Sequence, residues 1–509
     1  MIAFYLWIVV LSVLYLWLKR VYSYWEGTNF PYIKPSIPFG NLSGSWHGQK
    51  SLGKELYDLH RTSKKPIEGV YFLFRPALMV RDASLVQNIL KTDFTSFYDR
   101  GSYHNPNDQV ADNLFVKEGQ DWKSLRAKLT PTFSSGKLKA MMPTIIQIAD
   151  NLRRKLAPLA DNNEIIDIKN FTIRYGMDVI GTVGFGLDVN SIDDPNHSFR
   201  EIENQVSDGG FINRIRLIGV FFCPKLLEIL RMSWLSQRFQ DYMVGIVKNT
   251  MEYREQNGVF RRDFIQLLME LRKTGKLSSD DAFQSGANET NTNESNVESL
   301  TIEQCAAQVG LFYLAGFDTT ASAVAYTLFE LSRKPELQKR LQNEIDSVLA
   351  KHDNAITYES INDMPFLEMC VKESFRKYPT LPFLNRICTK EYRIDNLGLI
   401  VPKGTPVAIS LLGLMRDPQY FPDPENYWPD RFSDDKPMYN ADAFIPFGDG
   451  PRACIGFRMG KVTTKTAIVS ILKSYNFECE NDRELVMASN AFTLSIEGGI
   501  NVKISNRQK

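Results

Sequence analysis

A chain of 509 residues, 43% hydrophobic and 12% aromatic, has ample material for a large core and is no disordered polymer. Its formal net charge of +1 at pH 7 provides no global field for gathering nucleic acid. The six cysteines (Cys223, Cys305, Cys370, Cys388, Cys454, Cys479) follow no framework spacing, which suits free thiols in a reducing compartment. Length alone suggests about three domains, yet no linker divides the chain, so one large domain is expected.

Met1 to Leu18 holds no charged residue and is rich in Leu, Val, Ile, Tyr and Trp. That is close to the shortest span that crosses a bilayer, about 20 residues. Lys19-Arg20 follows with no small-residue cleavage site before it, so residues 1–20 read as an uncleaved anchor with the rest of the chain cytosolic. A cleaved signal peptide is the alternative, and it would carry free thiols into the wrong compartment. Pro31, Pro35, Pro38 and Gly40 predict a stiff connector over 21–40, leaving 41–509 as the globular part.

Gly69 to Arg81 reads as strands interrupted at Pro76. Gly119 to Gln147 reads as one helix, on which Trp122 and Arg126 share a face. An aromatic N–H beside a guanidinium suits a carboxylate or phosphate, although ordinary packing beside a solvated arginine is the plainer reading. Phe211 to Met232 is either a buried amphipathic helix pair or an apolar lip that dips into a bilayer and admits lipophilic molecules. Ser285 to Ser299 is polar low complexity, expected to be a solvated loop. Its sequons at Asn288 and Asn293 would stay unmodified on a cytosolic face.

Thr301-Ile-Glu-Gln304 is a capping box opening a helix that runs until Pro335, about 50 Å long. Inside it, Ala315-Gly-Phe-Asp-Thr-Thr320 follows Phe312, and Phe312, Ala315 and Thr319 share a face. Thr319 can turn its hydroxyl to a carbonyl one turn back. Gly316 removes bulk, and a notch for dioxygen and water is expected there. Asp318 adds a titratable group for passing protons inward. A buried helix rich in small residues is the plain alternative. Further on, Glu373-Ser-Phe-Arg376 sets opposite charges three apart on a helix, usually surface decoration worth about 0.3 kcal/mol. Leu381 to Arg386 and Ala491 to Leu494 are short apolar stretches after turns.

The chemistry concentrates in Phe447-Gly-Asp-Gly-Pro-Arg-Ala-Cys-Ile-Gly456. Gly448, Gly450, Pro451 and Gly456 predict a rigid turn whose backbone can approach a bulky partner. Cys454 stands just before a predicted helix and two residues after Arg452, a setting that favours the thiolate, the form an iron ligand takes. A single sulfur with no neighbouring Cys or His excludes a four-ligand structural zinc site. A single axial thiolate on haem remains, which favours O–O cleavage, or else a glycine-rich surface turn with a free cysteine.

The spacing Phe-x-x-Gly-x-Arg-x-Cys-x-Gly, filled by Phe447, Gly450, Arg452, Cys454 and Gly456, resembles the haem-binding loop of the cytochromes P-450, the haem-thiolate monooxygenases. Trp122 with Arg126, the run Ala315 to Thr320, Glu373 with Arg376, and Pro429-Asp-Arg-Phe432 match further motifs of that family in the right order. The likeness runs from the anchor to about Ile504. Asp99-Arg-Gly101, Glu118-Gly-Gln-Asp-Trp122, Leu129-Thr-Pro-Thr-Phe133 and Pro446-Phe-Gly-Asp-Gly-Pro-Arg452 look most like insect microsomal members that oxidise plant toxins and insecticides. Ala453 and Met459, where those often carry asparagine and phenylalanine, leave the ligand intact but leave the substrate open.

The resemblance implies a mainly α fold with smaller β-sheets. Haem b (iron protoporphyrin IX) would lie between the long oxygen-activation helix and the cysteine-loop helix, with Cys454 as metal ligand. Trp122, Arg126, Arg386, Arg452 and Arg100 would meet the haem propionates, and Phe447, Gly448, Gly456 and Ala315 would line the haem. Thr319 and Asp318 would serve oxygen activation, while Glu373, Arg376 and Arg431 would form a buried structural triad setting the cysteine loop. Phe115, Phe312, Ala315, Leu384 and Phe492 would line an apolar pocket. Implied partners are O2, a lipophilic small molecule, a membrane-bound NADPH–cytochrome P-450 reductase and cytochrome b5, with no nucleic acid. Lys123, Lys137, Lys139, Arg458 and Lys461 are candidate reductase contacts through steering. The implied place is the endoplasmic reticulum membrane, catalytic domain on the cytosolic face. Substrates would be plant toxins, insecticides, or endogenous hormones or lipids. The rival readings are a haem-thiolate isomerase or dehydratase, which needs neither reductase nor the acid–threonine pair, and a non-catalytic haem- or lipophile-binding protein.

Overall fold

The computed structural model describes residues 2–105, 108, 110, 112–194, 197, 210–285, 300–480, 485–489 and 491–508. The sequons at Asn288 and Asn293 lie outside them.

Helix α1 (Ile2–Tyr22) is long and apolar enough to cross a membrane, and its large side chains from Ile2 to Trp17 point outward. The proline segment behind it is not a free spacer. Tyr22 Oη donates to the Pro38 carbonyl at 2.5 Å and the Leu73 carbonyl at 3.2 Å. Trp25, only 1% exposed, donates Nε1–H to the Val70 carbonyl at 3.1 Å. Residues 22–41 are therefore fastened to the first sheet, because their aromatic side chains gain more by burial than a solvated linker would.

That sheet has the order β1-β2-β7-β4. Strands β1 (Ile67–Phe72) and β2 (Arg75–Val80) form a hairpin turning at Leu73, φ 53°. Pro76 does not interrupt a strand: it sits opposite Tyr71, before Leu78 to Val80 pair with β7 (Pro406–Ser410). Strand β4 (Phe383–Ile387), which carries Leu384 and Arg386, pairs with β7 on its other side. A second sheet, β3 (Ile165–Asp167), β9 (Asn501–Asn506) and β8 (Tyr475–Cys479), and the hairpin β5 (Tyr392–Ile394) with β6 (Leu399–Val401) complete the strands among the described residues.

The single helix expected over 119–147 is two. α2 (Gly119–Leu129) ends in a 3-10 turn containing Pro131, and α3 (Ser135–Asp161) restarts where Ser134 Oγ accepts the Lys137 N–H. A proline that cannot donate and a serine cap divide them. α4 (Ile168–Val179) follows. α5 (Phe211–Phe221) and α6 (Pro224–Leu230) form the expected helix pair: Ile218, Val220, Phe221 and Leu227 are buried, whereas Phe211, Ile212, Ile229 and Leu230 are exposed.

The capping box closes both ways at the start of α7 (Ile302–Ser332): Gln304 N donates to Thr301 Oγ1 at 3.1 Å, and Thr301 N to Gln304 Oε1 at 3.0 Å. α8 (Pro365–Lys377) and α9 (Phe457–Leu472) pack against α7. One cluster runs from Ile145 and Leu152 of α3 through Val324, Leu328 and Leu331 of α7 to Ile468 and Leu472 of α9. At about 1.5–3 kcal/mol per fully buried aliphatic side chain, this centre fixes where the Cys454 end of α9 stands relative to α7.

Candidate functional site

The cysteine loop is held by its backbone. Cys454 N donates to the Phe447 carbonyl at 2.9 Å, and Ala453 N to the Gly450 carbonyl at 3.0 Å. Gly450 has φ +68°, and a Cβ there would lie 1.8 Å from the Leu90 carbonyl oxygen, so only glycine fits. Asp449 accepts the Gly450 N–H at 2.7 Å and pairs with Lys91 at 2.7 Å, tying the loop to the segment after β2. Phe447 packs edge-on against Phe375 of α8 at 4.9 Å.

Cys454 is accessible, yet it sits at the floor of a recess. Burial pushes its thiol up, and the Gly456 N–H and the charges of Arg126 and Arg100 do not fully offset this. Burial thus outweighs the bias towards the thiolate expected from the helix start and a nearby arginine, and a bound metal would favour that form.

Around the recess stand four arginines. Arg386 is 2% exposed and gives one N–H to the Asn385 carbonyl at 2.8 Å. Arg452 reaches the Tyr98 and Lys117 carbonyls, each at 2.8 Å, lies 3.5 Å from Asp99, and has its guanidinium 4.0 Å from the Trp122 ring centre. Arg100 lies 4.2 Å from the Phe115 ring centre and donates to the Arg452 carbonyl at 3.4 Å. Arg126, on α2, is half-buried. Burial, then mutual repulsion, lowers Arg386 far below the ordinary range and Arg452 to about 9; burial brings Arg100 to about 10. Arg100 Nε, Arg386 Nε and Arg452 Nη1 are buried donors with no acceptor. Concentrated cationic donors beside a lone sulfur fit a flat metal macrocycle that carries two carboxylates, the chemistry of a haem.

α7, which packs on α9, carries Ala315, which is accessible, and Thr319, whose Oγ1 donates to the Ala315 carbonyl at 2.6 Å. Gly316 does not open the expected notch. A Cβ there would meet Ile180 Cδ1 at 2.4 Å, so the glycine admits the π-helical turn that follows α4, and α7 runs unbroken. Asp318 Oδ1 accepts from Lys169 Nζ at 2.7 Å and Oδ2 from Thr493 Oγ1 at 2.6 Å. Although burial pushes its carboxyl up, the Lys169 charge and these hydrogen bonds hold it below the ordinary aspartate range. Lys169 and Thr493 escaped the sequence reading because they lie 149 and 175 residues from Asp318 and carry no motif.

Glu373, Arg376 and Arg431 meet with every side chain fully buried. Arg376 holds the carboxylate by Nε at 2.7 Å and Nη2 at 2.9 Å, and Arg431 Nε reaches it at 3.1 Å. The remaining donors end on backbone carbonyls: Arg376 Nη1 on Met415 at 3.0 Å, Arg431 Nη1 on Pro422 at 2.8 Å and Arg431 Nη2 on Asp423 at 3.1 Å.

Phe492 stacks on Phe221 at 4.6 Å, and Phe221 meets Phe115 at 6.1 Å and Phe383 at 5.7 Å. Leu384 approaches the Gly448 side of the cysteine loop. Phe312 stands apart from this wall, packed on Phe264 at 4.5 Å and Phe133 at 5.3 Å. Of the cations expected on the docking face, Lys123 and Arg458 are exposed. Lys139 pairs with Glu359 and Lys461 with Glu368. Lys137 is 1% exposed, its ammonium turned inward to the Ser278 and Ser279 carbonyls, so it offers no surface charge.

The family description Cytochrome P450 matches residues 32–502. The chain belongs to the cytochrome P450 family. It is similar to "Probable cytochrome P450 6d4" of Drosophila melanogaster, 42% identical over 98% of both chains. "Cytochrome P450 6d3" of Musca domestica is 40% identical over 98% of both. "Cytochrome P450 6k1" of Blattella germanica is 35% identical over 96% of this chain and 93% of its own. The protein is accordingly a haem-dependent monooxygenase.

Proposed function

We propose that this P450 inserts one atom of O2 into lipophilic xenobiotics such as plant toxins and insecticides. One substrate C–H, O2, two electrons and two protons yield an alcohol and water. The observation that supports the substrate class is the aromatic wall of Phe115, Phe221, Phe383 and Phe492, in which one stacked and two edge-on ring pairs meet at Phe221. Haem b, when bound, supplies reductive activation of dioxygen at its iron, with the Cys454 sulfur as donor. Arg100, Arg386 and Arg452, helped by Trp122 and Arg126, would hold its carboxylates. Thr319 and Asp318 of α7 would serve oxygen activation, the threonine through its hydroxyl oxygen and the aspartate by handling protons.

Electrons come from a membrane-bound NADPH–cytochrome P-450 reductase, with cytochrome b5 as a further donor. Exposed Lys123 and Arg458 contribute to steering these acidic partners. The protein sits in the endoplasmic reticulum membrane by α1, catalytic domain cytosolic, with Phe211, Ile212, Ile229 and Leu230 touching the bilayer. The isomerase and binding-protein readings leave the Asp318–Thr319 pair without a task. The decisive experiment reconstitutes the full chain with haem, reductase and NADPH and measures product from an apolar aromatic substrate alongside the carbon monoxide difference spectrum of the reduced protein. Wild type should oxidise and show the thiolate-type band; Cys454→Ser should do neither. A wild type with the band but no reductase-dependent product would remove the monooxygenase reading.

A further inference from the structure

The segment 491–494 belongs to two places at once. Phe492 stacks face to face on Phe221, 4.6 Å and 7° apart, in the aromatic wall that the proposed function assigns to substrate. Its neighbour Thr493 donates its hydroxyl to Asp318 Oδ2 at 2.6 Å. Leu494 is the fixed point: its N–H goes to the Thr380 carbonyl at 2.8 Å, and its carbonyl accepts from Tyr326 Oη at 2.5 Å. Phe492 and Thr493 are only half-buried, in contrast to the buried Leu494.

The two oxygens of Asp318 are unequally held. Oδ1 takes Lys169 Nζ at 2.7 Å and Ser322 Oγ at 3.5 Å; Oδ2 takes Thr493. Lys169 already balances the charge, so electrostatics does not require Thr493 as well. What Thr493 does is occupy the one oxygen that Lys169 leaves open. A proton reaches the pocket by way of a carboxylate only from an oxygen that is free to exchange hydrogen-bond partners.

Resting on the monooxygenase reading, we propose that residues 491–493 are a coupling lever: a substrate pressing on Phe492 draws the Thr493 hydroxyl off Asp318 Oδ2, freeing that oxygen for proton transfer only when the pocket is filled. Thr493 is then a positioning residue that acts through Asp318, and Phe492 is the sensor. Such a device ties proton delivery to occupancy and protects electrons from loss as peroxide in the empty enzyme.

The test uses the full-length haem-loaded protein and clotrimazole, a bulky aromatic azole, as pocket probe. Binding is followed by the Soret shift, and the Asp318 carboxylate stretch by infrared difference spectroscopy, assigned as the band missing in Asp318→Asn. In wild type, azole binding should shift that band. In Thr493→Val, of nearly equal volume, the band should already stand at the azole-bound position and not move further. Thr493→Ser, which keeps the hydroxyl, should restore the shift. A wild-type carboxylate band indifferent to the azole, or a full shift in Thr493→Val, would overturn the lever. Product formation is measured separately: absence of oxidation with an intact infrared response would defeat the monooxygenase reading and leave the lever standing.

Discussion

Around Glu373, two fully buried guanidiniums share one carboxylate and spend their other donors on backbone carbonyls, so no buried donor of theirs is left over. Around Arg386 and Arg452, guanidiniums equally deep in the protein face one another, and Arg100 Nε, Arg386 Nε and Arg452 Nη1 have no acceptor. The first set is complete in the polypeptide and serves the fold. The second leaves buried donors over, the pattern that fits an anionic ligand, and burial and repulsion depress its members. Buried charge alone therefore does not separate scaffold from site; the balance of donors and acceptors does.

Breaking the balanced set should produce the largest effect. Glu373→Ala strands two buried cations and should cost about 3–5 kcal/mol, read as loss of folded protein at any haem level and a lowered unfolding midpoint for the apoprotein. Arg386→Met should do the reverse in the apoprotein. Removing an uncompensated buried charge should leave its unfolding midpoint unchanged or raised, while haem dissociation quickens about ten- to a hundredfold through loss of a charge-assisted contact worth about 1.5–3 kcal/mol. If Arg386→Met lowers apoprotein stability as much as Glu373→Ala does, the two sets are alike and the distinction is void. Arg126→Gln, at the half-buried margin, should weaken haem retention less than Arg386→Met and leave the apoprotein midpoint in place.

Legibility in the sequence followed the same division. The cysteine loop could be read because its constraints are local: a glycine at positive φ, an aspartate capping its neighbour, a sulfur before a helix. The capping box of α7 was equally plain. Glu373 and Arg376 looked like surface decoration by spacing alone, and Arg431 joined them only through the family likeness, since spacing is silent about depth. Lys137 was misjudged for that reason: a lysine in a polar stretch turned its ammonium inward to two carbonyls. Gly316 was misjudged because the atom that fills its gap, Ile180 Cδ1, comes from another helix. Helix length, caps and loop spacing are properties of a segment; burial and partner choice belong to the assembled chain.

The smallest expected effect concerns Asp318, which resembles the balanced set in having a counter-charge and the unbalanced one in being near the chemistry. Burial raises its carboxyl, but Lys169 and the hydrogen bonds bring it below the ordinary aspartate value of 3.8. The unfolded chain binds a proton at that ordinary value, so the pair's stabilisation is fully present above it and fades as pH falls through the lower, folded one. The difference in unfolding free energy between wild type and Asp318→Asn should thus be flat at neutral pH and shrink below about pH 4. Lys169→Met should invert the sign. A buried carboxylate stripped of its cation has a raised pKa, so it destabilises at neutral pH and relaxes as it takes up a proton on acidification. That variant should gain stability relative to wild type as pH falls from neutral into the acid range. Parallel pH curves for the wild type and both variants would mean that Lys169 and Asp318 are not a working ion pair, and the carboxylate would then join Arg386 among groups whose partner is yet to bind.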